Sequence, residues 1–253
     1  MLVIENNLAQ KITAFATIIA LPFALGAFLL TWAPAQQFYQ SDPSRDGYVP
    51  PRNVEKLITN VQDSTVTIFC RPNDPKNKGG FGSGWAIDLE NEQGKRFPTT
   101  LITNYHVIDE CLDGKGKVTV LALFGKEYQA VIDNWDAEND LASIAAALDV
   151  PPLKLSEYEP FPGYWVAAIG SADGYEGSVA FGNVLNGTKL EILITAPLSR
   201  GNSGGPLVDN EGNVVGTNTF GQIEEQYNGA MSLNALCVKI MECEEDVFWD
   251  RDN

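Results

Sequence analysis

Apolar and polar residues alternate over short stretches along most of this chain, and glycine or proline interrupts each stretch. Segments 64–70, 82–88, 100–103, 118–123 and 128–133 are rich in Val, Ile, Thr and aromatic residues, the composition of strands. A second set follows at 164–169, 177–185, 191–195, 206–209, 214–219 and 230–232. This rhythm predicts an all-β fold of two six-stranded Greek-key barrels, about 56–147 and 148–232, with a cleft between them. Segment 232–241 (SLNALCVKIM) breaks the alternation and predicts a short closing helix. Residues 243–253 read as an acidic tail. Glu244, Glu245 and Asp246 within it read as a solvated charge run rather than a calcium site.

The N-terminus departs from that rhythm. Ile12 to Ala33 is an uncharged, mostly apolar run of 22 residues, long enough to span a bilayer as a helix. Ala33-Pro34-Ala35 also reads as a small-x-small cleavage site. Residues 1–35 are therefore expected to be a signal-anchor or a cleaved signal peptide, and either places the rest of the chain outside the cytoplasmic membrane. Only an uncleaved helix gives the chain a membrane partner. Residues 36–55, with Pro43, Gly47, Pro50 and Pro51, read as a linker to a domain over 56–242.

Charge narrows the partners. The formal net charge is −16, and residues 1–35 contribute nothing to it, because Glu5 and Lys11 cancel. Nucleic-acid binding depends on Lys and Arg neutralising phosphates, so a nucleic-acid partner is not expected. Adhesion to anionic lipid surfaces is disfavoured for the same reason.

The candidate chemistry rests on three residues. The chain holds one histidine, His106, in Thr103-Asn104-Tyr105-His106-Val107. Ser203 sits in Gly201-Asn202-Ser203-Gly204-Gly205-Pro206, and Asp140 lies between them in Asn139-Asp140-Leu141-Ala142. A serine hydroxyl is a poor nucleophile at neutral pH and needs a neighbouring base, for which imidazole has the right pKa. A carboxylate on the other ring nitrogen fixes the tautomer and stabilises the imidazolium. Asp133 and Asp136 are nearby rivals for that role. Glycines around Ser203 permit the torsions that aim two backbone N–H groups into one hole, assigned to Gly201 and Ser203. No Cys/His cluster has zinc spacing, and no metal or organic cofactor is required.

The order His, Asp, Ser resembles that of the trypsin/chymotrypsin clan. Further segments extend the resemblance to its bacterial HtrA/Deg type: Gly82-Ser83-Gly84-Trp85, Leu101 to Ile108, Asp140-Leu141-Ala142, Ala168-Ile169-Gly170-Ser171, and Leu198 to Val208. They cover roughly residues 56–242 in family order. The resemblance implies a serine endopeptidase in which Ser203 attacks the scissile carbonyl, His106 moves the proton, Asp140 orients His106, and water resolves an acyl-enzyme. It implies a polypeptide substrate pairing with the backbone of Phe220 and Gly221, and a Thr219 hydroxyl that supports the triad acid. Ala196, Pro197 and Leu198 then line the P1 pocket. Pro197, six before the nucleophile, supplies no acid for a basic side chain, so cleavage after small or medium apolar residues is expected. Glu224 or Glu225 would reverse this if either reached the pocket.

The four cysteines permit three pairings. In chymotrypsin-like folds a bridge often ties the two regions that hold Cys70 and Cys111, so the resemblance implies that pair and leaves Cys237 with Cys243. Free buried thiols are the alternative. Some family features are missing. No Ile-Val-Gly-Gly-like start appears, Ala172 stands where a proline is usual, and regulation through a C-terminal PDZ domain is not expected. An esterase using the same triad, or a protease-fold binding or quality-control module that stays dormant until activated, are the alternatives. Oligomeric state is not readable from the chain.

Overall fold

The computed structural model describes residues 47–222 and 227–249; for Phe220, Gly221, Gln222 and Asp246 it describes the backbone alone. The expected signal or anchor helix, most of the linker, and Glu224 and Glu225 lie outside these residues. Among the described residues no helix is long and apolar enough to cross a membrane.

A helix α1 (Val54–Gln62) leads into β1 (Thr65–Pro72), β2 (Gly80–Ile87), β3 (Thr99–Thr103), a one-turn helix α2 (Tyr105–Ile108), β4 (Gly116–Ala122), β5 (Glu127–Asp136) and β6 (Leu141–Ala146). These six strands close into an antiparallel barrel in the order β1-β2-β3-β6-β5-β4. The second barrel comprises β7 (Trp165–Gly170), β8 (Ser178–Gly187), β9 (Glu191–Ile194), β10 (Pro206–Val208), β11 (Val214–Gln222) and β12 (Tyr227–Ser232). It closes in the order β10-β11-β12-β9-β8-β7. The closing helix α3 (Leu233–Lys239) follows, with the Ser232 hydroxyl accepting from Ala235 N as its N-cap.

Two elements escaped the sequence pattern. Strand β6 (LASIAA) is buried at every position because the barrels share it as a wall. Leu141 packs into the core of barrel 2, while Ala142, Ile144 and Ala146 pack into that of barrel 1. A strand covered on both faces shows no polar alternation. Helix α1 begins inside the expected linker. Asn53 caps it by accepting from Lys56 N, and Leu57 and Val61 bury its apolar face in the core of barrel 2. Strands β2 and β3 complete the shared wall: Trp85 and Ile102 face barrel 2, and Ala86 and Leu101 face barrel 1.

Both disulfides are formed. Cys70 pairs with Cys111, and Cys237 with Cys243. The second closes over the end of α3, as positions six apart require, since they do not face each other on a continuing helix. Part of the expected acidic tail packs against the domain. The Phe248 and Trp249 N–H groups donate to Asn234 Oδ1, Trp249 Nε1 donates to Ser156 O, and Trp249 is buried. Those two aromatic residues dock on barrel 2, which the acidity of their neighbours conceals.

Candidate active site

The site forms where α2 and the β5–β6 turn of barrel 1 meet the β9–β10 loop of barrel 2. Helix α2 buries Val107 and Ile108 and so turns His106 outward, leaving its side chain 48% exposed. His106 Nδ1 lies 2.7 Å from Asp140 Oδ2, and the His106 backbone N–H donates to Asp140 Oδ1 at 3.0 Å. One carboxylate therefore fixes both the ring and the backbone that carries it. The hydrogen bond to Asp140 raises the His106 pKa above its ordinary 6.5; partial burial opposes this, and the Asp140 and Asp109 charges add to it.

Asp140 occupies the left-handed region at φ +52°, in the four-residue turn 137–140 between Asp136 and Leu141. Asp136, one of its two rivals, builds that turn. Its fully buried carboxylate accepts from the Glu138 N–H (3.1 Å), the Asn139 N–H (3.4 Å), Asn139 Nδ2 and Lys239 Nζ (3.1 Å). Burial pushes the Asp136 carboxyl up, but these donors outweigh it and hold its pKa below the ordinary value. Asp133, the other rival, lies beside Glu92, and burial raises its pKa.

Asn104, which was not singled out in the sequence, joins three parts of the site. It is fully buried, and its Nδ2 donates to Asp140 O and to Thr219 Oγ1, each at 2.7 Å. Thr219 therefore reaches the acid's backbone through Asn104, where the resemblance implied support for the acid itself. The only sequence signal for Asn104 was its place two residues before the histidine.

Gly201 takes φ +94° and Gly204 φ +86°, and both are confined as well as bent. A Cβ on Gly201 would sit 2.2 Å from Ser171 O, and one on Gly204 2.2 Å from Ser83 O and 2.4 Å from Thr103 Oγ1. Ser203 is thereby held against the strand that leads to His106. Its hydroxyl donates to Thr219 O at 3.3 Å, and among the described contacts it makes no hydrogen bond to His106. The Arg200 side chain is exposed, and the residue shapes the loop through its carbonyl, which accepts from Asp173 N at 2.6 Å.

The expected specificity residues fall in different environments. Ala196 is fully buried in the core of barrel 2, Leu198 is half-buried against that core, and Pro197 is exposed. Ala196 is thus inaccessible as an open pocket wall. On β11 the ladder with β10 reaches only Thr217, and a register shift falls between Asn218 and Phe220. Phe220 and Gly221 pair with β12 on one side, and among the described residues no strand pairs with them on the other.

Residues 82–216, more than half of the chain, match the model of the trypsin-like peptidase domain. A DegP-like periplasmic serine endoprotease of Marinomonas sp. is 32% identical over 173 residues, covering 64% of this chain and 34% of that protein. The serine protease HhoA of Synechocystis sp. is 30% identical over 213 residues, covering 73% of this chain and 51% of that protein. The chain thus spans between a third and about half of the length of these relatives. The crystal structure of the serine endoprotease from Yersinia pestis superposes with a TM-score of 0.63 at 24% identity, covering 77% of this chain and 66% of that one, which shows a shared fold. Family match, relatives and double-barrel fold agree: the chain belongs to the trypsin-like peptidase domain family and is related to the DegP/HtrA-type periplasmic endoproteases.

Proposed function

We propose that this chain is an extracytoplasmic serine endopeptidase working through Ser203, His106 and Asp140. The observation that carries the reading is the two-point hold of Asp140 on His106, at 2.7 Å to the ring and 3.0 Å to the backbone. It fixes Nδ1 as the donor and leaves Nε2 as the base, the tautomer that proton abstraction from a serine requires. Ser203 Oγ loses its proton to Nε2 as it attacks the carbonyl, and the N–H groups of Gly201 and Ser203 receive the oxyanion. The imidazolium then protonates the leaving amine, and water, activated by the same base, releases the acyl group.

A polypeptide substrate fits the open edge of β11, where the backbone of Phe220 and Gly221 adds an extended strand. Preference for small or medium apolar P1 residues follows from Pro197 and Leu198, which offer no counter-charge to a buried lysine or arginine. Two closed disulfides and the periplasmic description of a relative support the extracytoplasmic location. The test is cleavage of casein and of a peptide library. Ser203→Ala and His106→Ala should abolish turnover, and the wild-type profile should be dominated by Val, Ala, Ile or Leu at P1. A profile dominated by basic P1 residues would overturn the specificity assignment.

One observation favours a second reading, a dormant module that requires activation. The Ser203 hydroxyl is engaged with Thr219 O, not with the base. A wild-type protein that stays folded but inert towards peptides and esters alike would select this reading.

A further inference from the structure

We propose that Ser83 is a positioning residue that sets the oxyanion hole of this site, an inference that rests on the serine-hydrolase reading above. Ser83 lies on β2 of barrel 1, is fully buried, and reaches across to the nucleophile loop of barrel 2 with both of its donors. Its hydroxyl donates to Gly201 O and its backbone N–H donates to Ser203 O, each at 2.7 Å. Thr103 Oγ1, at the end of the strand that leads to His106, donates to Ser83 O at 2.7 Å. A single residue, through its hydroxyl, its N–H and its carbonyl, thus ties the strand that leads to His106 to the two residues that supply the hole.

The consequence follows from tracing each peptide plane. In a trans peptide the C=O and N–H point in opposite directions, so fixing one end of the plane aims the other. The Arg200–Gly201 plane is fixed by the Asp173 N–H on Arg200 O (2.6 Å), and the Asn202–Ser203 plane by the Gly205 N–H on Asn202 O (3.0 Å). Between them, the Gly201–Asn202 plane is held by Ser83 Oγ on Gly201 O and by Asn202 N on Ser199 O (3.1 Å). After them, the Ser203–Gly204 plane is held by Ser83 N on Ser203 O and by Gly204 N on Asn218 O (2.8 Å). Among the described contacts, the Gly201 and Ser203 N–H groups alone in this run have no acceptor. These are the two donors that the oxyanion requires.

Ser83 Oγ holds the plane that separates these donors. Gly201 tolerates many torsions, so an unheld plane beside it can rotate and change the spacing and aim of the pair. With the Ser83 bond lost, that plane keeps only the longer bond from Asn202 N to Ser199 O (3.1 Å), and the hole is less firmly set before substrate arrives. Ser83→Ala removes the pin and leaves Gly201 O buried without it.

The experiment compares wild type, Ser83→Ala, Ser83→Cys and Ser83→Thr as full chains. A fluorophosphonate titration counts active sites, and kcat and KM per titrated site are then measured on a chromogenic apolar-P1 peptide. Affinity for a peptide boronic acid and the thermal midpoint complete the set. Ser83→Ala should lower kcat per active site by about tenfold or more, the scale of a misplaced catalytic donor, with KM nearly unchanged. Boronate affinity should fall in parallel. Ser83→Thr, which keeps the hydroxyl, should recover most of the loss, and Ser83→Cys, a weak donor of similar shape, should fall between. A Ser83→Ala protein with fewer titratable sites but normal kcat per site would reduce Ser83 to a fold-stabilising residue and overturn the inference. Should Ser83→Ala not fold, the Cys and Thr pair decides: equal kcat values per site contradict the role. Absence of labelling in folded wild type removes the hydrolase reading and this inference together; normal wild-type labelling with an indifferent Ser83 removes only the latter.

Discussion

In barrel 1 the proposed acid and base are already joined, whereas in barrel 2 the proposed nucleophile rests on Thr219 O, away from the base. His106 and Asp140 share two hydrogen bonds, and the turn beneath Asp140 is packed around the Asp136 carboxylate. Ser203 rests on a loop ordered by backbone bonds and confined glycines, with its hydroxyl on Thr219 O. Side chains organise the first half, while the second is organised mainly by backbone, with Ser83, Ser178 and Asn218 adding side-chain bonds. Side-chain substitutions should therefore break barrel 1's contribution, and added Cβ atoms should break that of barrel 2.

The largest effect is expected from Asp140→Asn. It keeps the shape but permits the wrong imidazole tautomer, at a cost of about 10⁴ in kcat. The same change removes the main cause of the raised His106 pKa. Since the chain has one histidine, its NMR titration reports that pKa directly. The wild-type midpoint should lie above the ordinary 6.5, and Asp140→Asn should move it down. The sign for stability follows. A group whose pKa is raised by folding stabilises fully below its unfolded value, so this pair's contribution is complete below about 6.5 and is lost as pH rises through the folded value. Activity runs the other way, because the base must be neutral: the acid limb of kcat/KM should track the raised midpoint. A midpoint unchanged by Asp140→Asn would contradict the bond.

Next in size is Gly201→Ala. The added methyl meets Ser171 O at 2.2 Å on a backbone at φ +94°, so the loop must shift. Loss of one aligned oxyanion donor corresponds to about 10²–10³ in kcat. The His106 titration should stay near its wild-type midpoint, because the acid–base half does not depend on Gly201. A moved midpoint would mean that the halves are not separately organised.

The sequence made these halves legible to different depths. The triad candidates were readable because the chemistry needs rare residues: one histidine, a serine among glycines, and an acid in an Asp-Leu-Ala context. The strand rhythm was readable where β-branched and aromatic residues are dense, even in the fully buried β3 and β7, and it failed at β6 (LASIAA), which holds one β-branched residue. Residues that act through distant partners were not readable. Asp136 meets Lys239 across 103 positions, Asn104 meets Thr219 across 115, and Ser83 meets Gly201 across 118. No local pattern encodes such pairs, because the first exists only once the closing helix is in place and the other two only once both barrels have met.

The smallest effect separates the acid's support from the acid itself. Lys239→Met removes the cation from Asp136, whose pKa should then rise from its lowered position. Lys239 is half exposed, so solvent screening limits the loss of stability to about 1 kcal/mol. Because Asp136 is depressed by folding, its contribution is present above its unfolded pKa and lost as pH falls through the folded value. The variant should therefore differ least from wild type in strong acid. A several-fold drop in kcat with KM unchanged is expected if the turn carries Asp140 with it, and an unaltered kcat would confine Asp136 to structure.

The central claim is that the Ser203 hydroxyl, which rests on Thr219 O, becomes the nucleophile of a base already set in barrel 1. Intact-protein mass spectrometry after fluorophosphonate treatment tests it most directly. Wild type should gain one phosphonyl adduct, mapped to Ser203, and both Ser203→Ala and His106→Ala should gain none. An adduct that persists in folded Ser203→Ala, or a folded wild type that takes none, would contradict the account.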